Sequence, residues 1–161
     1  MKTIIIYCTK HGTTKKVAES VSEILGDAAI VALGRQRLDI SSFDFVVLGT
    51  PVYAGLPMKI MQKFYEKNLS KLLDKKIALF VCGMEPDADK QMLELKSAFP
   101  EKLFEHACFV DFLGGRFLFD KMNFIERFII KRVAKVEPKT NISKINDERI
   151  KNFALRIKQS R

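Results

Sequence analysis

Along this chain, short unbroken apolar runs alternate with segments whose apolar positions recur every three or four residues. The first run, "KTIIIYC", is rich in β-branched residues and has the pattern of a central strand buried on both faces. "TTKKVAESVSEILG" follows, with Val17, Val21, Ile24 and Leu25 at helical spacing and Gly26 as a C-terminal stop. "AAIVAL", "DFVVLGT", "KKIALFVCG" and "HACFVDFLGG" read as further strands, the second of these closed by Gly49. "PMKIMQKFYEKNLSKLL" predicts a helix opening at Pro57, since the first turn tolerates proline. "DADKQMLELKSAF" predicts a helix capped by Asp87 and ended before Pro100. "NDERIKNFALRIKQ" predicts a last helix with Ile150, Phe153, Ala154 and Ile157 on one face.

This alternation implies an α/β fold: a doubly wound, five-stranded parallel sheet of order 2-1-3-4-5, with helices on both faces. Ligands of such sheets lie outside the carboxyl ends of the strands at the switch point. Those ends are "TKHGTT", "TPVYAGLP" and "GMEPDAD". Residues 114–140 exceed what the scheme needs, and long connections of this kind carry function or structure of their own. Within them, Leu118, Met122, Ile125, Ile129, Val133 and Val136 recur at spacings of three and four, and Phe124 and Phe128 widen the stripe. Lys121, Arg127, Lys131, Arg132 and Lys135 occupy other positions, so Phe117–Val136 reads as a basic amphipathic helix with a turn near Lys121–Asn123. Such a helix packs on the sheet with its lysines in water, lies on a membrane surface, or walls an apolar substrate groove.

A length of 161 residues suits a single domain with a real core. No apolar run is long enough to span a bilayer, and the N-terminus lacks the pattern of a signal peptide. Cys8, Cys82 and Cys108 are odd in number and widely spaced, and are expected as small buried hydrophobes in a reducing cytoplasm. The net charge of +9 divides into +1 over residues 1–113 and +8 over residues 114–161. A basic tail favours an anionic surface: phospholipid, nucleic acid or an acidic partner. No aromatic-basic nucleic-acid motif accompanies it, so nucleic acid is not an expected partner.

The peptide "YCTKHGTT" after the first strand invites several chemistries. A Walker loop requires G-x-x-x-x-G-K-[ST], but Gly12 has no partner glycine upstream and is followed by Thr13. A cysteine phosphatase requires an arginine six residues after Cys8, where Thr14 stands, so the bidentate phosphoryl clamp is missing. A phospho-acceptor receiver requires acidic residues where Cys8, Thr9, Gly49 and Thr50 stand. What remains is a phosphate held rather than cleaved. Thr9, Thr13 and Thr14 offer hydroxyls, Gly12 lets the backbone curl its N–H groups inward, and a helix beginning near Thr13 aims its positive end there. The alternative is a threonine cap on an ordinary helix.

"TKHGTT" resembles the T-x-T-G-x-T loop with which the flavodoxin family binds the 5′-phosphate of FMN, and the resemblance extends over residues 1–113. It implies FMN as cofactor, with Thr9, Lys10, His11, Gly12, Thr13 and Thr14 around the phosphate. His11 replaces a hydroxyl residue of the family; its imidazole either restores a donor or faces solvent. Lys15 is near enough in sequence to assist. The resemblance places Thr50, Pro51, Val52, Tyr53, Ala54 and Gly55 in the second cofactor loop, with Tyr53 stacked on the flavin. It places Gly83, Met84 and Glu85 at the pyrimidine edge through their backbones. This third loop lacks the tyrosine many carrier flavodoxins hold there, leaving room for a substrate. Glu85, Asp87 and Asp89 either lower the flavin potential by their charge or are simply solvated around a helix cap.

The insert, through Ile125-Glu126-Arg127-Phe128-Ile129-Ile130-Lys131, resembles that of the menaquinone-dependent protoporphyrinogen oxidases, with Ile125 in place of an aromatic. That implies an FMN-dependent oxidoreductase taking electrons from a small apolar substrate, protoporphyrinogen, to a quinone. The protein would then be cytoplasmic and peripheral at the inner membrane face, meeting anionic lipid through Phe117–Val136. A flavodoxin-type carrier docking on protein redox partners is the alternative, although such carriers tend to be acidic. A flavin-free module binding lipid or a partner is a third reading. A second copy of the chain is a further candidate partner. No metal is expected, and no acid–base residue is demanded, because the redox chemistry is the cofactor's own.

Overall fold

The computed structural model of the chain describes residues 1–34, 37–135 and 140–161. The isoleucine run forms β1 (Thr3–Tyr7), buried along its whole length. It is followed by α1 (Thr13–Leu25), β2 (Ala29–Ala32), β3 (Phe45–Tyr53), β4 (Leu56–Pro57), α2 (Lys59–Leu73) and β5 (Lys76–Cys82). Then come α3 (Ala88–Ala98), α4 (Glu101–His106), β6 (Phe109–Phe112), β7 (Arg116–Phe117), α5 (Phe124–Ala134), β8 (Ile142–Ser143) and α6 (Asp147–Gln159). The parallel strands run in the order β2-β1-β3-β5-β6, with short β4 antiparallel to β3. Setting β4 aside, this is the expected 2-1-3-4-5 order.

Side-chain alternation along the strands splits the core between two faces. Ile4, Ile6, Val46, Leu48, Ile77 and Leu79 pack beneath α2, α3 and α4. Ile5, Val47, Ala78 and Phe80 pack beneath α1 and α6. The ends of β1, β3 and β5 emerge side by side, with Tyr7 opposite Gly49 and Pro51 opposite Cys82.

Several expectations change. β3 does not stop at Gly49 but continues to Tyr53. The helix does not open at Pro57: Leu56 and Pro57 pair back onto Tyr53 and Val52, and α2 starts two residues later. The reversal is a two-residue turn with positive φ at both Ala54 (50°) and Gly55 (77°), the mirror-image geometry that matches strand twist. α4 was not foreseen, because its residues adjoin the fifth apolar run. Cys108 is exposed rather than buried, since β6 begins only after it; Cys8 and Cys82 are buried as expected.

The insert departs furthest from its pattern. Leu118, Phe119 and Met122 are buried at its root, where a 3-10 turn spans Phe119–Lys121, and the helix begins after an Asn123 cap. No residue of α5 is buried, so packing on the sheet is ruled out. Phe124 is 84% and Val133 71% exposed; the half-buried side chains are polar Glu126 and Arg127, with Ile130. Val136, the last of the expected stripe, lies outside the described residues. β7 and β8 pair antiparallel and draw the ends of the insert together.

Candidate functional site

Residues 9–14 wrap the N-terminus of α1. Gly12 takes φ +88° there, a conformation that costs glycine no steric penalty. Its N–H donates to Thr9 Oγ1 (2.9 Å), which closes the loop and leaves the Thr9 hydroxyl hydrogen free to donate outward. The cap residue is Gly12 and no side chain caps the helix, so the threonine-cap reading does not hold. The first-turn amides of Thr13, Thr14 and Lys15 are left to water or a ligand, at the positive end of the helix. Thr14 is fully buried. Its Oγ1 lies by the Cys82 thiol, helping to hold down a pKa that burial raises, but makes no hydrogen bond of full geometry.

The two buried thiols beneath the loops are not nucleophiles. Burial pushes Cys8 up to about 11, against the opposing hydrogen bond of Thr50, and pushes Cys82 up to about 12. Both remain protonated at neutral pH, the reverse of a catalytic thiolate. Cys8 Sγ and Thr50 Oγ1 are 3.3 Å apart, and Thr50 also donates to the Pro51 carbonyl (3.1 Å). The Thr50 side chain is thus spent inside the fold, and with Pro51 and Val52 it lies in the buried part of β3.

Tyr53 stands at the exposed end of β3, 42% exposed, with Ala54 and Gly55 forming the turn beyond it. Ser97 donates to the Gly55 carbonyl (2.9 Å) and fixes that turn against α3. Burial, and then the charge of Glu126, push the Tyr53 phenol up to about 12, so it stays neutral. The His11 ring meets it edge-on at 6.4 Å, so the imidazole turns into the site and not to solvent.

In the third loop, the Glu85 carboxylate accepts from the Asp87 N–H (3.0 Å), and the Glu85 carbonyl accepts from Gln91 Nε2 (2.7 Å). Asp87 caps α3 through Lys90 N (3.0 Å), as expected. A cleft of about 360 Å³ opens beside Gly83, Met84 and Glu85, walled opposite by Phe112, Lys144 and Arg149. It shares only these three loop residues with the expected set; residues 9–14 and 50–55 lie elsewhere around the switch point.

One participant was not foreseen. Glu126, from the insert, reaches the first loop. Its Oε1 pairs with Lys10 Nζ and lies 3.3 Å from His11 Nε2. Its Oε2 accepts from the Asn123 N–H (2.9 Å), completing a capping box with Asn123 at the start of α5. Lys15 pairs instead with Glu19 along α1 (3.7 Å).

Residues 4–143 match the family described as Flavodoxin domain. The chain belongs to that family. Solved structures share the fold of this flavodoxin domain at low identity. A flavodoxin from the domain Archaea is 17% identical, covering 99% of this chain and 98% of its own, with a TM-score of 0.60. The Fusobacterium nucleatum flavodoxin bound to flavin mononucleotide is 18% identical, covering 99% of each chain, with a TM-score of 0.56. The rubredoxin oxygen:oxidoreductase of Desulfovibrio gigas is 13% identical, covering 99% of this chain and 35% of its own, with a TM-score of 0.64. No curated protein matches this chain at a significant level. An uncapped helix N-terminus, an inward-curling glycine and a buried hydroxyl without a full partner fit the phosphate of a mononucleotide.

Proposed function

We propose that this flavodoxin domain is an FMN-dependent oxidoreductase that oxidises an apolar substrate of the protoporphyrinogen kind and delivers electrons to a quinone at an anionic membrane surface. The observation that carries the cofactor is the uncapped N-terminus of α1 behind Gly12, set at the switch point beside the loops of β3 and β5. The F. nucleatum flavodoxin, bound to flavin mononucleotide, has the same fold. FMN, when bound, supplies electron and hydride transfer through its ring system. The chain's part is to hold and orient. The amides of Thr13, Thr14 and Lys15 and the Thr9 hydroxyl serve the phosphate, Tyr53 flanks the ring as a neutral phenol, and the backbone of Gly83–Glu85 serves its polar edge.

The insert supports the oxidase over a simple carrier. Phe124, Ile125, Phe128, Ile129 and Val133 are exposed together on α5, among Arg127, Lys131 and Arg132. That combination suits an interfacial helix on anionic lipid. No helix among the described residues is long and apolar enough to cross a membrane, so contact would be from the surface. The second reading, an electron carrier docking on proteins, is favoured by the solved flavodoxins that match the whole chain.

Incubating the purified chain with FMN and desalting it tests the cofactor: retained flavin absorption is expected, and a colourless protein would overturn the reading. Turnover of protoporphyrinogen with a quinone acceptor separates oxidase from carrier. Co-sedimentation with phosphatidylglycerol vesicles, lost in Phe128→Ser, tests the surface role of α5.

A further inference from the structure

The insert meets the first loop through a carboxylate, in a place where the chain itself is read as preferring an anion. Two side chains of that loop, the Lys10 ammonium and the His11 imidazole, converge on the same oxygen of Glu126. Burial works against the charge of Glu126, but the Lys10 hydrogen bond and the Asn123 N–H outweigh it and hold the carboxyl below its usual pKa. The His11 ring that faces this carboxylate also meets Tyr53 edge-on at 6.4 Å, and the charge of Glu126 bears on the phenol. None of the residues of α5 is buried.

We propose that Glu126 is an internal anion at the mouth of the 9–14 loop, which a phosphomonoester must displace from Lys10 and His11 in order to bind, lowering cofactor affinity and freeing α5 from the loop. The inference rests on the reading of that loop as the FMN phosphate site. A dianionic phosphate and a carboxylate competing for Lys10 and His11 repel each other, and one of them must give way. Glu126 therefore sets how strongly the phosphate, as distinct from the flavin ring, contributes to binding.

The test compares wild type with Glu126→Gln, in the full chain, by quenching of FMN and riboflavin fluorescence. Glutamine keeps the capping box with Asn123, so the start of α5 is preserved. Removing one negative charge from beside the 9–14 loop is expected to tighten FMN about five- to tenfold. Riboflavin, which has no phosphate, is expected to bind equally to both proteins. Inorganic phosphate should compete with FMN more effectively in the variant, and FMN should increase hydrogen exchange of residues 124–134 in wild type. Unchanged or weaker FMN binding by Glu126→Gln overturns the proposal while leaving the FMN site standing; so does equal tightening of riboflavin. Failure of both proteins to bind FMN removes the site and the proposal together.

Discussion

The tail of the chain carries two amphipathic helices rich in basic residues, α5 and α6, and they face opposite ways. In α6, Ile150, Phe153, Ala154 and Ile157 are at most 2% exposed and close one face of the sheet. In α5, equally apolar positions point outward and polar Glu126 turns toward the protein. The difference lies in the anchors. α6 is delivered onto the sheet by Asn146, whose N–H bonds the Leu113 carbonyl at the exit of β6 (3.2 Å). Its far end is fixed by Arg161, which bonds Thr3 and Asp27 (2.8 and 2.5 Å). α5 is anchored through its polar side, on Lys10 and His11. Periodicity announces a helix and its two faces; which face turns inward depends on where polar groups tie it.

Truncation separates the two helices most sharply. Phe153→Ala is expected to cost about 3–5 kcal/mol in denaturant unfolding, whereas Phe128→Ala should stay within about 0.5 kcal/mol. Equal costs would erase the contrast. Each helix has an asparagine cap, Asn146 and Asn123, bonding the third residue of its helix (2.9 Å in both). Replacing either with alanine should cost about 1 kcal/mol. For Asn146 the loss should appear in global stability; for Asn123, only in hydrogen exchange of α5 amides, because that helix opens locally.

The buried region should also carry an alkaline signature that α5 lacks. Cys8 is raised from the usual 9.0 to about 11, so folding favours its neutral form. The stability this contributes is complete below pH 9 and is lost as pH rises through 11; Cys82 acts in the same sense. At pH 10 the loss should be about 1 kcal/mol per thiol, measured against Cys8→Ser and Cys82→Ser variants. The smallest expected effect is at the turn after β3. Ala54 has φ +50°, so Ala54→Gly should stabilise by about 0.5 kcal/mol, the relief of strain exceeding glycine's added freedom when unfolded.

The sheet was readable because β1, the first half of β3 and β5 are near-continuous apolar runs, the pattern of strands covered on both faces. The loops of the candidate site followed from that order. What escaped was set by contacts across the fold. Ala54-Gly55 is a weaker turn signal than Asn-Gly, so the return of Leu56 and Pro57 onto β3 stayed hidden in an apparent helix start. The Asn123-x-x-Glu126 spacing marks a capping box and hence the beginning of α5. Nothing local discloses that the same carboxylate reaches Lys10, more than a hundred residues earlier in the chain.

Phe117 opposes Ile142 in the separate β7–β8 pair, so the polypeptide leaves the domain body and returns to it at one doorway. Closing a detour whose ends already meet costs little more when the detour is longer. Beyond its buried root, Leu118–Met122, the segment can be shortened, extended or exchanged without retuning the strands behind it. A domain built this way gains a new exterior by grafting, and its interior need not register the change.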